Sequence, residues 1–134
     1  MLPRLKSKQF SPKQLQQIKN KLGLGGEEKA RHFLQKLDYK ILASNLTLGK
    51  SEIDLVCLNQ AQNEVVFVEV KTRSVEYYGH PSQAVGHRQM RSLDRVARKY
   101  LQANKLDLDY RFDIVSVLPN KIEHFQNITW FRGL

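Results

Sequence analysis

The chain has 134 residues, of which 41% are hydrophobic and 26% are charged, and its formal net charge is +9. This length suits one domain with a core of its own, and no apolar run is long enough to cross a membrane. Cys57 is the only cysteine, which excludes an internal disulfide and a cysteine-based zinc site and makes the cytoplasm the expected compartment. The positive charge indicates a polyanionic partner such as nucleic acid, although solvated lysines alone would explain the total.

The charge is unevenly distributed along the chain. Residues 51–86 carry five acidic and two basic side chains, whereas residues 87–105 carry six basic and one acidic. Residues 1–50 carry eleven basic and three acidic side chains. An acidic centre is therefore flanked by two basic segments, which a uniformly solvated surface explains less readily.

The N-terminal part of the chain, residues 1–24, predicts a basic extension. Within it, Ser11 followed by Pro12 is a typical start for a short helix. Glycines at positions 23, 25 and 26 interrupt any such helix, so we take residues 25–134 as a single domain.

A firmer helix is predicted over residues 27–37. Glu27 lies one turn before the first apolar residue and on the same side, so it faces inward or complements the helix dipole, and spacing favours the dipole. The apolar stripe of this helix consists of Ala30, Phe33, Leu34 and Leu37.

The next segments predict a strand at residues 39–43, a turn at residues 45–50 and then a hairpin. The second strand of that hairpin, residues 65–70, is apolar except for Glu69, which predicts a central strand covered on both faces. Charged residues buried in such a strand are costly unless they are paired or bind a metal, which is the first indication of a site.

The register of the hairpin decides whether its charged residues meet. If Leu58 lies opposite Val65, then Asp54 falls opposite Glu69, and Lys71 lies on the same side as Glu69 because side chains alternate along a strand. A register shift of one residue would send Asp54 to the other face. The sequence therefore predicts that Asp54, Glu69 and Lys71 converge.

Two carboxylates with a lysine suit hydrolysis of a phosphodiester bond. Oxygen ligands from Asp54 and Glu69 are typical of Mg²⁺ or Mn²⁺, which lowers the pKa of a bound water and neutralises phosphoryl charge. Lys71 could orient the attacking water or stabilise the oxyanion. The alternative is a structural ion network with no catalytic task.

A long helix is predicted over residues 83–103, and it carries a basic stripe. Such a stripe, with Asp94 as the single acid nearby, favours contact with phosphates over a merely solvated face. The stripe consists of Arg88, Arg91, Arg95 and Arg98.

The last predicted elements are strands at residues 110–118 and 122–128, joined by a turn at Pro119 and Asn120. Asp113 is an acid among strand residues, and we expect it at the strand edge.

Several short motifs occur together over residues 23–128. They are Gly26-Glu27-x-x-Ala30, Asn45, Glu52-Ile53-Asp54-Leu55, Phe67-Val68-Glu69-Val70-Lys71-x-Arg73, Gly79-x-Pro81, Ala97-x-x-Tyr100-Leu101 and Arg111-Phe112-Asp113. In combination they resemble the UPF0102 (YraN-like) family of small bacterial proteins. That family is similar to the PD-(D/E)xK nuclease superfamily, nearest to archaeal Holliday-junction resolvases. The chain departs from the family pattern at Ser51, where glycine is usual, and at Arg88, where lysine is common.

The resemblance implies an α/β, restriction-endonuclease-like three-layer fold, in which helices flank a central mixed β-sheet. It implies that Asp54 and Glu69 are metal ligands and that the backbone carbonyl of Val70 is a further ligand. It also implies that Lys71 is the catalytic lysine. Glu27 becomes the helix-borne acid that completes such a site, which replaces the dipole interpretation.

The leading hypothesis is therefore a Mg²⁺- or Mn²⁺-dependent endonuclease acting on DNA, with branched or structured DNA as one substrate class. Arg73 and the four arginines of the long helix are its candidate nucleic-acid contacts. Junction resolvases act as dimers because they cut two strands, so a homodimer is expected by that analogy alone. The alternative is a non-catalytic module that binds nucleic acid or a partner on the same fold.

Overall fold

The computed structural model describes residues 11–13, 25–73 and 87–128. The predicted start of the long helix at residue 83 and most of the predicted N-terminal helix lie outside these residues. Within the described ranges, no helix is long and apolar enough to span a membrane. The elements are, in chain order, α1 (Gly25–Lys36), β1 (Tyr39–Leu48), β2 (Ser51–Asn59), β3 (Glu64–Thr72), α2 (His87–Ala103), β4 (Tyr110–Val117) and β5 (Ile122–Phe125).

These strands form one mixed, five-stranded sheet in the order β1-β2-β3-β4-β5. Neighbouring strands pair antiparallel except β3 and β4, which are parallel. Parallel neighbours need a crossover connection, and α2 lies within it. Because the chain leaves the end of β3 and returns to the start of β4, α2 runs antiparallel to both strands.

The core lies on both faces of the sheet, and alternate residues of β3 contribute to each. Val65 and Phe67 belong to a cluster with Met90 of α2. Val66 and Val68 belong to a second cluster, which includes the buried residues of α1. This layering of helix, sheet and helix confirms the mixed α/β architecture and the prediction of a central strand covered on both faces.

The hairpin of β2 and β3 has the predicted register, with Leu58 opposite Val65. Its turn is stabilised by Asn59, whose side-chain oxygen accepts the N–H of Ala61 at 3.2 Å. Asn63 closes the turn at a φ of +53°, a conformation that asparagine adopts more readily than most residues. Loop chemistry and side-chain alternation therefore agree on one register.

The prediction for β1 was too short, because residues 44–48 continue the strand where a turn was expected. The pairing with β2 shifts between Ile41 and Ala43, and Asn45 has a φ of +52°. A bulge and a left-handed residue bend a strand without ending it. The true turn is confined to the two residues after β1, where Gly49 has a φ of +63°.

The ends of the other elements differ from the predictions by a few residues. Helix α1 begins at Gly25, two residues before the predicted start. Strand β5 ends at Phe125 and not at residue 128. The reason is that the N–H of Asn127 donates to the Asp113 carboxylate at 2.9 Å, which turns the chain away from β4.

Candidate functional site

Asp54 is held in place by the main chain of the neighbouring strand. The ladder of β2 with β3 ends at the pair Leu55 and Val68, and Asp54 and Glu69 come next in that register. There, the N–H of Val70 donates to Oδ2 of Asp54 at 2.7 Å. The carboxylate thus takes the place of a main-chain acceptor, and the two strands part at this point.

Glu69 and Lys71 lie side by side at the end of β3, as their spacing predicts. Nζ of Lys71 is 3.2 Å from Oε2 of Glu69, and the two side chains keep 30% and 22% of their exposure, respectively. The sequence argument expected them to be buried. They are only partly buried because β2 diverges from β3 here, so both charged groups reach solvent and a ligand could reach them.

Electrostatic repulsion marks the site as favourable for a cation. Burial raises the pKa of Glu69, the Asp54 carboxylate raises it further, and the Lys71 ammonium opposes both effects. The net shift of the Glu69 pKa is upward, so the Lys71 ammonium does not offset burial and the Asp54 charge together. A bound cation would relieve this repulsion.

A third carboxylate, Glu27, approaches from the first turn of α1. Burial raises the pKa of Glu27, and Asp54 raises it further, while Arg31 lowers it from 3.7 Å away. Glu27 is half-buried and within electrostatic reach of Asp54, so it faces inward, contrary to the spacing argument.

Gly26 explains how α1 comes so close to the site, and sequence reasoning did not assign it this role. A Cβ at this position would overlap the Thr72 hydroxyl oxygen at the end of β3. Only glycine therefore allows the helix to rest on β3 beside Lys71 and to present Glu27 to the site. The sequence signal was the glycine that directly precedes the acid.

The donor set at this end of the sheet fits a hard cation only in part. Among the described residues, no group of three or more His, Cys, Asp or Glu side chains lies close enough to hold a metal. Asp54 and Glu69 supply carboxylate oxygens, and Mg²⁺ is commonly bound through one or two carboxylates while it keeps several waters. Asp54 and Glu69 as ligands, and Glu27 and the carbonyl of Val70 as further ligands, all remain predictions.

The candidate phosphate contacts are placed on two elements. Arg73 is half-buried just beyond β3, and its main-chain N–H donates to the carbonyl of Val117 at 2.9 Å. The α2 arginines are all exposed, and they line two different depressions. Arg88 lines a depression together with Glu52, which precedes Asp54 by two residues on β2. A separate groove at the start of β4 is lined by Arg91, Arg95 and Arg98.

Sequence reasoning missed a buried ionic network beside β3. Arg111 donates to Asp113 from Nε at 2.9 Å and from Nη2 at 3.1 Å. Arg111 also donates to Glu64 at 2.7 Å and to the Tyr39 hydroxyl at 2.6 Å. Nε2 of His124 lies 2.7 Å from Oδ2 of Asp113. The network joins β1, β3, β4 and β5.

The expectation that Asp113 lies at the strand edge was wrong, because its exposure is 1% in the middle of β4. Burial alone would raise the pKa of Asp113, but hydrogen bonds from His124, Arg111 and the N–H of Asn127 outweigh it and lower the pKa. Each carboxylate oxygen already has two partners, so this network is structural. Its sequence signal was the opposite charges of Arg111 and Asp113 two residues apart.

Comparison with known proteins places the chain in a family. Residues 26–117 match the model of the uncharacterised protein family UPF0102. A UPF0102 protein of Flavobacterium psychrophilum is 42% identical over 112 residues, which cover 81% of this chain and 92% of that protein. A UPF0102 protein of Caldicellulosiruptor saccharolyticus is 43% identical over 103 residues, which cover 76% and 86%, respectively. The chain therefore belongs to the UPF0102 family.

Proposed function

We propose that this protein is a metal-dependent nuclease that hydrolyses phosphodiester bonds of DNA on a restriction-endonuclease-like fold. One observation carries the proposal: where β2 and β3 part, the Asp54 carboxylate lies close enough to Glu69 to raise its pKa, and Glu69 pairs with Lys71 at a partly exposed end of the sheet. A purely structural ion network would be expected to bury and match its charges. Here Glu69 is paired with Lys71 but is partly exposed and shares its site with the like charge of Asp54.

The side chains would divide the work as follows. Asp54 and Glu69 would hold Mg²⁺ or Mn²⁺, with Glu27 and the carbonyl of Val70 as further oxygen donors. When bound, such an ion neutralises phosphoryl charge and lowers the pKa of a bound water. The N–H of Val70 fixes the orientation of Asp54. Glu69 orients the ammonium of Lys71, which donates hydrogen bonds to the attacking water or to a phosphoryl oxygen.

DNA is the substrate that the charge favours. The net charge is +9, and exposed arginines line two surfaces of α2. Arg73 stands two residues beyond Lys71, where it would contact the backbone next to the cut. Branched DNA and a homodimer are proposed by analogy with resolvases, and the cytoplasm is the compartment we propose.

One observation favours a second candidate function, a module that binds nucleic acid without cutting it. In the described part of the chain, the acidic residues form no cluster of three around a possible metal position. A binder would still use the arginines of α2 but would not need Lys71. The two functions therefore differ in what the loss of Lys71 does.

A cleavage assay separates the two functions. The protein is incubated with Mg²⁺ and with Mn²⁺ on linear duplex, single-stranded, flap and four-way-junction DNA, beside the Lys71→Ala variant. Lys121→Ala serves as the matched control, because Lys121 also pairs with a glutamate two residues away, Glu123, at 3.4 Å on another strand. We expect metal-dependent cutting that Lys71→Ala abolishes and Lys121→Ala retains.

Two results would reject the nuclease. Binding without cutting on any of the four DNA forms would leave the binding module. Cutting that survives in Lys71→Ala would remove that lysine from the chemistry and point to a contaminating enzyme. The DNA form that is cut fastest would name the substrate class.

A further inference from the structure

A groove of about 700 Å³ lies between α2 and the start of β4, and we call it the β4 groove. Its inner wall is apolar, because Met90 and Phe112 line it and are almost completely buried, with Tyr110 half-buried beside them. Its outer wall consists of exposed arginines of α2. Concave surfaces of this size, apolar inside and with a few polar groups around them, are typical of binding sites.

The outer wall carries an excess of positive charge. Arg91, Arg95 and Arg98 recur at steps of four and three residues, so neighbouring side chains lie about 5–6 Å apart along the helix. Arg98 is matched by Asp94, whose Oδ2 lies 2.8 Å from its Nε. Arg91 and Arg95 form no ion pair with any residue that the structure describes. Two guanidinium groups of the outer wall therefore remain for an anionic ligand.

The aromatic rings of the groove are already engaged. The Tyr110 ring is nearly perpendicular to that of Phe67, with centroids 5.9 Å apart, and its hydroxyl donates to Asp94 at 2.7 Å. Phe112 packs on Phe67 at 5.5 Å and is only 4% exposed. A nucleobase binds by stacking on an open aromatic face, which a buried Phe112 and a tethered, half-buried Tyr110 do not present.

The DNA backbone also matches this groove poorly. Phosphates and sugars are contacted by charged and polar donors, so a backbone bound to the arginines would leave the apolar inner wall uncovered. A ligand that uses the whole groove needs anionic groups for Arg91 and Arg95 and an apolar group for the inner wall. An acidic peptide with one apolar residue offers both on neighbouring side chains.

We infer that the β4 groove is a docking site for an acidic segment of a partner protein. Two carboxylates of that segment pair with Arg91 and Arg95, since guanidinium binds carboxylate through two parallel hydrogen bonds. A large apolar side chain next to them, such as leucine, covers the inner wall and loses its contact with water. The inference is independent of the proposed function, because no residue of the Asp54 site lines this groove. Arg88 lines the other depression and stays available for DNA.

Fluorescence anisotropy with labelled peptides tests this inference. The probes have about ten residues, mostly glycine and serine, and carry two aspartates and one leucine whose spacing is varied across a panel. Each probe has two matched versions, one with asparagine for both aspartates and one with serine for the leucine. The protein variants are Arg91→Ala plus Arg95→Ala and, as the control, Lys29→Ala plus Lys36→Ala, which removes the same charge from exposed positions of α1. Urea unfolding confirms that each variant is folded.

We expect the tightest peptide of the panel to lose about tenfold in affinity with Arg91→Ala plus Arg95→Ala and no more than about twofold with the α1 control. Asparagine in place of its aspartates should cost the wild type a similar factor. The same exchange should cost the arginine variant almost nothing, because the pairs are already broken. Serine in place of leucine should weaken binding to both proteins by about tenfold, because the inner wall is unchanged.

A panel in which no peptide binds more tightly than its asparagine version would overturn the inference. An equal loss with the α1 control, or a leucine that can be exchanged for serine without loss, would do the same. Duplex DNA is measured in EDTA beside the peptides. If it loses as much affinity with Arg91→Ala plus Arg95→Ala as they do, the DNA backbone is the occupant and the inference is wrong.

A second copy of the chain is the remaining occupant, and light scattering tests it. A wild-type dimer that dissociates in Arg91→Ala plus Arg95→Ala would place another copy in the groove and overturn the peptide inference. Failure of the cleavage assay would reject the nuclease alone, since the peptide measurements contain no DNA and do not depend on Lys71.

Discussion

Asp54 and Asp113 both accept a main-chain N–H within the sheet, and we expect opposite outcomes when each is replaced by asparagine. Asp54→Asn keeps an oxygen for the N–H of Val70 and removes a charge that, after burial, raises the pKa values of Glu27 and Glu69. The hydrogen bond becomes neutral, which costs about 1 kcal/mol. Relief of the repulsion offsets this cost, so the free energy of unfolding should change by no more than about 1 kcal/mol.

Asp113→Asn has no such compensation. The carboxylate accepts hydrogen bonds from Arg111, His124 and Asn127, and its side chain has 0% exposure, so solvent does not screen the loss. The amide group of asparagine would point its own N–H donors at some of these donors. It would also remove the fully buried counter-charge of Arg111 and leave the more exposed Glu64 to balance that cation. Removing one partner of a buried ion pair costs about 3–5 kcal/mol. That is a large part of a typical total stability of about 5–15 kcal/mol.

The assay compares both variants with the wild type by urea unfolding, followed by circular dichroism, and by Mn²⁺ binding. We expect Asp54→Asn to keep the urea midpoint and to weaken Mn²⁺ binding. Asp113→Asn should lower the midpoint and leave the Mn²⁺ affinity of the folded fraction unchanged. If Asp54→Asn destabilises the fold as much as Asp113→Asn, the Asp54 cluster is a structural network. A loss below about 1 kcal/mol for Asp113→Asn would refute the reasoning on the buried network.

Three further predictions concern packing and pH. Gly26→Ala places a methyl group against Thr72, so it should weaken Mn²⁺ binding, and Thr72→Ala in the same chain should restore it; a loss that persists in the double variant would contradict the packing argument. Folding lowers the pKa of Asp113, so its stabilisation is present above the ordinary value of 3.8 and is lost as pH falls through the lower, folded value. The urea midpoint of the wild type should therefore fall in that acid window more steeply than that of Asp113→Asn, and parallel curves would refute this. We expect Mn²⁺ binding to need ionised Glu69. Because the pKa of Glu69 is raised, binding should already be lost at a pH above 4.5, the ordinary pKa of a glutamate. In Asp54→Asn the repulsion is gone, so the pH at which half of the remaining Mn²⁺ binding is lost should fall. If that pH does not change, Asp54 does not raise the pKa of Glu69.

The hairpin register could be predicted because its determinants are local. Side chains alternate with a period of two, and the loop from Asn59 to Glu64 limits the choice of partners. One register places the apolar residues of both strands on shared faces, and the structure has that register. The same alternation places Glu69 beside Lys71, so this contact was also predictable.

The Arg111 network could not be predicted, because its partners are distant in sequence. Arg111 bonds to Tyr39 across 72 residues and to Glu64 across 47. A local pattern shows that Arg111 and Asp113 share a face, but it does not show which strands lie next to that face. The partial exposure of Glu69 escaped prediction for a similar reason, since it depends on where β2 leaves β3.

Helical periodicity predicts that the arginines recur along one side of α2, but it does not predict which strands lie beside them. Arg91 and Arg95 recur at helical spacing with Arg88, as expected for one stripe. The structure sets Glu52 beside Arg88 and Tyr110 beside the other two, so the stripe lies next to two strands that are distant in sequence. A phosphate site on a helix is therefore decided by the elements beside the helix as much as by its own spacing.

The two charged clusters of this sheet argue for opposite roles on the same physical grounds. Both oxygens of Asp113 are satisfied, by four donor atoms from three residues, and folding lowers its pKa, which means that the fold favours the ionised form. Burial and the Asp54 charge raise the pKa of Glu69, which means that the fold makes its negative charge less favourable. A charge that the fold satisfies stabilises the protein, whereas a charge that the fold leaves in repulsion becomes favourable only when something else binds. The end of β3 is therefore where we expect a ligand, and a cation is the ligand that would reverse the penalty.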